Sequence, residues 1–182
     1  MNTRRIFTAA AVAAMVALGG CRNPFNPSAR IRFDQFYCGP NATPVLRITQ
    51  TSASTDAGDI TKFFPDMATQ VGLINDSTVP GKITGYNVVY RQLSTGQPIA
   101  VCGGAAGRRY QTLITLPALA SNYSANINTK RYIMIVTDEL MTHIATDLST
   151  VSGGIDCEII FYGEDDNGYD LQVEGVLHID VL

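Results

Sequence analysis

Polar and apolar positions alternate most regularly at the C-terminal end of the chain. Ile155, Cys157, Ile159 and Phe161 alternate with Asp156, Glu158, Ile160 and Tyr162. After the turn cluster Gly163-Glu164-Asp165-Asp166-Asn167-Gly168, the residues Tyr169, Leu171, Val173, Gly175, Leu177, Ile179 and Val181 alternate with Asp170, Gln172, Glu174, Val176, His178 and Asp180. A period of two places each set on one face of a strand. Asn-Gly favours a tight turn, because both central residues can take positive φ. The pattern predicts a long hairpin over 155–181 with one buried face.

Shorter strands are predicted over 31–37, 45–50, 83–93, 110–116 and 131–136. In the third of these, Tyr86, Val88 and Tyr90 share a face. Ser94-Thr95-Gly96-Gln97-Pro98 reads as a turn and 99–102 as a short return strand. Leu140, His143, Ile144 and Asp147 recur at helical spacing, which predicts one short helix near 138–148. Segment 51–82 is long for a connection, and connections beyond about 15 residues are uncommon without a function of their own. Its Phe63-Phe64 pair and the run Met67, Val71, Ile74 predict a packed flap with a helical turn, or a binding loop. The whole reads as an all-β fold, a two-sheet sandwich of about seven to eight strands with one short helix.

The N-terminal end has a different grammar. Arg4 and Arg5 precede an apolar run from Ile6 to Leu18, too short to remain as a span, and small residues lead to Cys21. Leu18-Gly19-Gly20-Cys21 resembles the lipobox of bacterial lipoproteins. The resemblance implies a signal peptide over 1–20, a lipidated tether over 21–29 and a sandwich domain over 30–182. Its only cofactor would be the diacylglyceryl group on the Cys21 thioether. Arg22 stands where Asp often marks inner-membrane retention in such proteins, so the resemblance points to the outer membrane. Thr3-Arg4-Arg5-Ile6-Phe7 also resembles the twin-arginine export motif but lacks its downstream Lys, and the export route stays open between the two.

A second resemblance concerns the fold. The strand ITGYNVVYR with its STGQP turn is similar to the central strand pair of immunoglobulin-like and fibronectin-type-III sandwiches. IIFYGEDDNGYDLQVEGVLHIDV resembles the final hairpin of bacterial Ig-like domains. The likeness implies a two-sheet architecture and no particular activity.

Composition narrows the classes. With 182 residues, 46% apolar and 16% charged, the chain suits one globular domain and excludes disorder, collagen and coiled coil. A net charge of −3 argues against a nucleic-acid partner. There is no G-x-S-x-G and no C-x-x-C, and the glycine run at 103–107 lacks the Gly-Lys-Ser/Thr ending of a phosphate loop. No catalytic residue and no metal ligand is assigned, and an enzyme is not expected.

Three groups remain as candidates. Cys38 and Cys102 each end a strand and precede glycine, which favours a Cys38–Cys102 disulfide, with Cys157 a small buried hydrophobe. Asp156, Glu158, Asp170, Glu174 and Asp180 share the polar phase of the hairpin and predict an acidic outer face. It is neutralised within the domain by Arg91, Arg108, Arg109 or Arg131, or docks a basic partner. Glu164, Asp165, Asp166, Asn167 and Asp170 read as a polar turn or a calcium site. His143 with Asp147, and His178 with Asp180, are pairs too small for a structural metal site and read as solvated. The expectation is a lipid-anchored cell-envelope module that binds or supports an envelope protein or carbohydrate. The alternative is a periplasmic assembly or chaperone-like factor acting through an exposed sheet edge or the 51–82 segment.

Overall fold

A computed structural model of the protein describes residues 27–55, 58–65, 69–119, 128–151 and 153–182. The lipobox, Cys21 and the tether up to residue 26 lie outside the described residues. The chain forms a two-sheet, all-β sandwich. Its nine described strands are β1 (Ile31–Tyr37), β2 (Val45–Thr55), β3 (Gly58–Pro65), β4 (Thr69–Asn75), β5 (Gly81–Gln92), β6 (Arg108–Leu116), β7 (Asn128–Ile133), β8 (Ile155–Asp165) and β9 (Asp170–Val181). Helices α1 (Asp138–Thr146) and α2 (Leu148–Val151) lie between β7 and β8.

The larger sheet has the order β3-β2-β9-β8-β5-β6 and the smaller β1-β4-β7. Every pairing is antiparallel except β2 with β9, where Val45 lies opposite His178 and Ile48 opposite Val181. The hairpin β8–β9 alternates as its sequence requires. Ile155, Cys157, Ile159, Phe161, Leu177 and Ile179 are buried, and between them stand the polar residues of the outer face. Phe36, Val71, Leu73 and Ile133 of the smaller sheet enter the same core.

Three strands cannot cover six, and the chain after β7 covers the remainder. Tyr86 Oη accepts from Met134 N at 2.8 Å, and Tyr90 Oη donates to Ile135 O at 2.6 Å. These hydroxyls satisfy a stretch of backbone that has left the sheet, as a buried backbone must be satisfied. Burial, above all, pushes the Tyr90 hydroxyl far above its ordinary value. Helix α1 follows. Thr137 caps it, its Oγ1 accepting from Leu140 N at 3.2 Å, with Asp138 and Glu139 in the positive first turn. Leu140 and Ile144, four apart, are fully buried against the larger sheet.

Segment 51–82 is not a flap. It completes β2, forms β3 and β4, and turns into β5. The expected return strand at 99–102 is also absent: one bridge joins Arg91 and Pro98, and Ala100–Cys102 is a single 3-10 turn. Gly103 ends that turn with φ at 91°, a left-handed conformation open to glycine.

Candidate functional site

The outer face of the larger sheet holds all five acidic residues expected there, four of them in rows across β9, β8 and β5, and Asp180 opposite Arg47 of β2. One row runs His178–Asp156–Arg91, the next Val176–Glu158–Val89, then Glu174–Ile160–Asn87, then Gln172–Tyr162–Gly85, and the last Asp170–Glu164–Lys82. Arg91 Nε lies 2.8 Å from Glu158 Oε1, a charge contact without an aligned hydrogen bond. His178 sits between two carboxylates, Nδ1 2.9 Å from Asp156 Oδ1 and Nε2 2.9 Å from Asp180 Oδ1. His178 also lies across Gly154, where a Cβ would meet its ring at 2.9 Å.

Arg91 and His178 therefore contact three of the five acids: Glu158 and Asp156 from neighbouring strands, and Asp180 along the same strand. Of the four arginines expected to neutralise the face, Arg91 does so, whereas Arg108 pairs with Glu139 of α1. Lys82 and Glu164, 2.6 Å apart, form a further pair, and Glu164 raises the lysine's affinity for its proton. Asp170 and Glu174 complete the face, with Gln172 Nε2 donating to Glu174 Oε1 at 2.9 Å. Val176, 59% exposed, and the phenol of Tyr162 interrupt the charges. Tyr162 lies over Gly85 and lines, with Thr84, Glu164, Asp170 and Gln172, a shallow depression of about 730 Å³.

The outer face of the smaller sheet carries a polar cluster that the sequence did not suggest. Tyr37 Oη donates to Asp34 Oδ2 at 2.8 Å, and Asn128 Nδ2 donates to the same oxygen and to Tyr37 Oη. The Tyr37 ring and the Asn128 amide lie over Gly72, where a Cβ would collide with both. Lys130 Nζ stands 3.8 Å from the centroid of the Tyr37 ring. Burial, then the Asp34 carboxylate, raise the Tyr37 hydroxyl above its ordinary value.

The turn between β8 and β9 uses its carboxylate inwardly. Asp165 is 4% exposed, and its Oδ1 accepts from Asn167 N and Tyr169 N, each at 2.9 Å. Its Oδ2 accepts from Ala29 N at 2.8 Å. Burial works against the charge, but the three backbone donors outweigh it and hold the carboxyl below the usual range. A carboxylate so occupied is a turn clasp and not the centre of a calcium site. No group of three or more His, Cys, Asp or Glu suited to a metal occurs among the described residues.

The cysteines share one core. Cys38, Cys102 and Cys157 are each 1% exposed or less and belong to the same buried cluster. The expected Cys38–Cys102 bridge is not formed in this structure, which holds all three as thiols. Cys38 Sγ is directed at Thr69 Oγ1, 3.8 Å away, and Cys102 lies on the 3-10 turn after Ile99. Burial first, then Glu139, push the Cys102 thiol up to about 11, and burial drives Cys157 well upward. Thiolates are the reactive form, so these groups are poorly reactive while the core is closed. His143 and Asp147 stand at the end of α1, where Asp147 N donates to His143 O at 2.8 Å.

The fold and these faces define the class: an all-β sandwich with two patterned outer surfaces. No protein-family model matches the chain, and no curated protein or solved structure is significantly similar to it.

Proposed function

We propose that the protein is a lipid-anchored binding module of the bacterial cell envelope, held at the outer membrane through Cys21. The observation that carries this reading is the sequence Leu18-Gly19-Gly20-Cys21 at the end of an apolar run, ten positions before a sandwich strand that begins at Ile31. A short tether of this kind keeps a folded domain at the membrane surface, and acyl chains on one cysteine supply stable anchoring at about 0.8 kcal/mol per buried methylene. The outer face of the larger sheet suits an envelope protein or a carbohydrate: mixed in charge, partly apolar at Val176 and Tyr162, and without any assembled catalytic group. No catalytic role, bound cofactor or nucleic-acid partner belongs to the reading.

Metabolic labelling with an alkyne fatty acid tests it. The wild-type chain takes up the label and sediments with membranes, while Cys21→Ser does neither. Labelling that persists in Cys21→Ser, or a wild-type chain without label, overturns the proposal.

A second reading, assembly through a sheet edge, has one specific support. Beyond Ile48, β2 pairs only with β3, and β3 is the outermost strand of the larger sheet. The outermost strand of a sheet, where nothing covers it, offers backbone donors and acceptors to an added strand. A Pro substitution at Thr61 would abolish client capture on this reading and leave it unchanged on the first.

A further inference from the structure

The chain enters the sandwich through a clasp. Asn167 Nδ2 donates to Pro27 O at 2.9 Å, and Ala29 N donates to Asp165 Oδ2 at 2.8 Å. On the other side, Arg30 N donates to Ser77 Oγ at 3.1 Å and Arg30 O accepts from Asp76 N at 2.8 Å. Ala29, the last residue of the expected tether, is 7% exposed and packs with Val79, Leu171 and Ile31 in a small cluster apart from the main core. Asn75 stiffens the second wall, its Oδ1 accepting from Ser77 N at 3.0 Å and its Nδ2 donating to Val79 O at 2.8 Å. One strap of four residues is thus fixed to two turns that are distant in sequence.

We propose that this clasp decides which end of the sandwich faces the lipid surface. The inference rests on the lipid-anchor reading. Strands β1, β5 and β9 begin at the clasped end, and β8 finishes there. Only five residues separate Cys21 from Pro27, six Cα–Cα steps with a reach of at most about 21 Å. Strand β8 has 11 residues and is therefore roughly 35 Å long. The turn at 166–168 stays close to the bilayer, and the turn at 93–97 with Gly153 and Gly154 lies at the far end. Releasing the strap as far as Arg30 lengthens the tether to nearly the height of the domain and removes the distinction between its ends. The clasp thereby assigns the far end, and the upper parts of both outer faces, to a partner approaching from the aqueous side.

The test uses the lipidated protein in phosphatidylcholine vesicles that contain a headgroup-nitroxide lipid. A fluorophore is placed at Asp166→Cys or at Ser94→Cys, the three native thiols being buried. The Asp166 probe is expected to be quenched at least twofold more than the Ser94 probe, and the ratio to fall toward one when Asn167→Ala is added. Equal quenching in the clasped chain, or stronger quenching at Ser94, overturns the proposal. A separate arm reads the clasp without vesicles, by trypsin on the detergent-solubilised chain. Cleavage at Arg30–Ile31 is expected to be at least tenfold faster in Asp165→Ala than in the wild type, and several-fold faster in the milder Asn167→Ala, with cleavage after Arg22 unchanged. A wild-type Arg30–Ile31 bond cut as fast as either variant's refutes the clasp and leaves the lipid anchor standing. A protected bond on a chain without lipid refutes the anchor and the orientation, and leaves the clasp standing.

Discussion

The two ends of the sandwich are built on different physics. At the clasped end, one buried carboxylate gathers three backbone N–H groups, from Ala29, Asn167 and Tyr169, and joins residues 136 positions apart. At the opposite end, half-buried side chains meet one another, His178 between Asp156 and Asp180 and Arg91 beside Glu158, whereas near the clasp the Lys82–Glu164 pair is exposed and stands apart from the Asp165 bonds. Hydrogen bonds from buried donors to a charged acceptor are strong, and orphaning them is costly. Exposed ion pairs contribute little and weaken in salt. The end where the chain enters the sandwich is thus locked by bonds to a buried carboxylate, whereas the other end and its outer rows are held by weaker side-chain contacts.

The largest effect should come from breaking the lock. Asp165→Ala leaves three donors without their acceptor and is expected to cost on the order of 3 kcal/mol in urea unfolding. The same carboxylate sets a pH dependence. Its folded-state value lies below the ordinary carboxylate range, so its contribution is complete above that range. As pH falls through the lowered value, the contribution disappears. Urea melts of wild type and Asp165→Asn should therefore differ at pH 7 and converge in strong acid. A gap that stays constant down to pH 2 would contradict this assignment.

A smaller loss is expected where the core meets the far end. Tyr90→Phe removes the hydroxyl that satisfies Ile135 O and should cost about 1 kcal/mol. Its far-UV circular dichroism should stay native, since β5 retains its ladder. The smallest effects belong to the surface rows. Arg91→Gln and His178→Ala should each change stability by less than about 1 kcal/mol, and the Arg91→Gln change should shrink further in high salt. If either surface change rivals Asp165→Ala, the contrast between the two ends fails.

Much of this architecture was legible along the chain, for reasons particular to each element. β8 and β9 face a core on one side and water on the other, so their alternation survives in the sequence and exposes the acidic phase. Helix α1 carries Leu140 and Ile144 four apart below a Thr cap, a local signal that needs no tertiary context. β4 offered no such signal. Val71 to Asn75 are buried throughout, because Tyr37 and Asn128 cover Gly72 on one side while the core covers the other. A strand enclosed on both faces loses its period of two. The partners of the outer-face acids were hidden for a related reason. Arg91 meets Glu158, and His178 meets Asp156, only once the register of three strands is set. The clasp was hidden most deeply. Asp165 in a polar turn looks solvated or metal-binding, and nothing local reveals that it accepts a donor from Ala29. Its place at the head of an Asp-Asp-Asn-Gly turn, where Asp bonds to backbone N–H groups further on, was the available hint.

The proposal that the sandwich is clasped to a tether lipidated at Cys21 is tested most directly by the intact mass of the mature N-terminal peptide from the membrane fraction. Cleavage after Arg22 should release a dipeptide that begins at Cys21 and carries diacylglyceryl mass on sulfur. An N-terminus at any other residue, or an unmodified Cys21, would contradict the account.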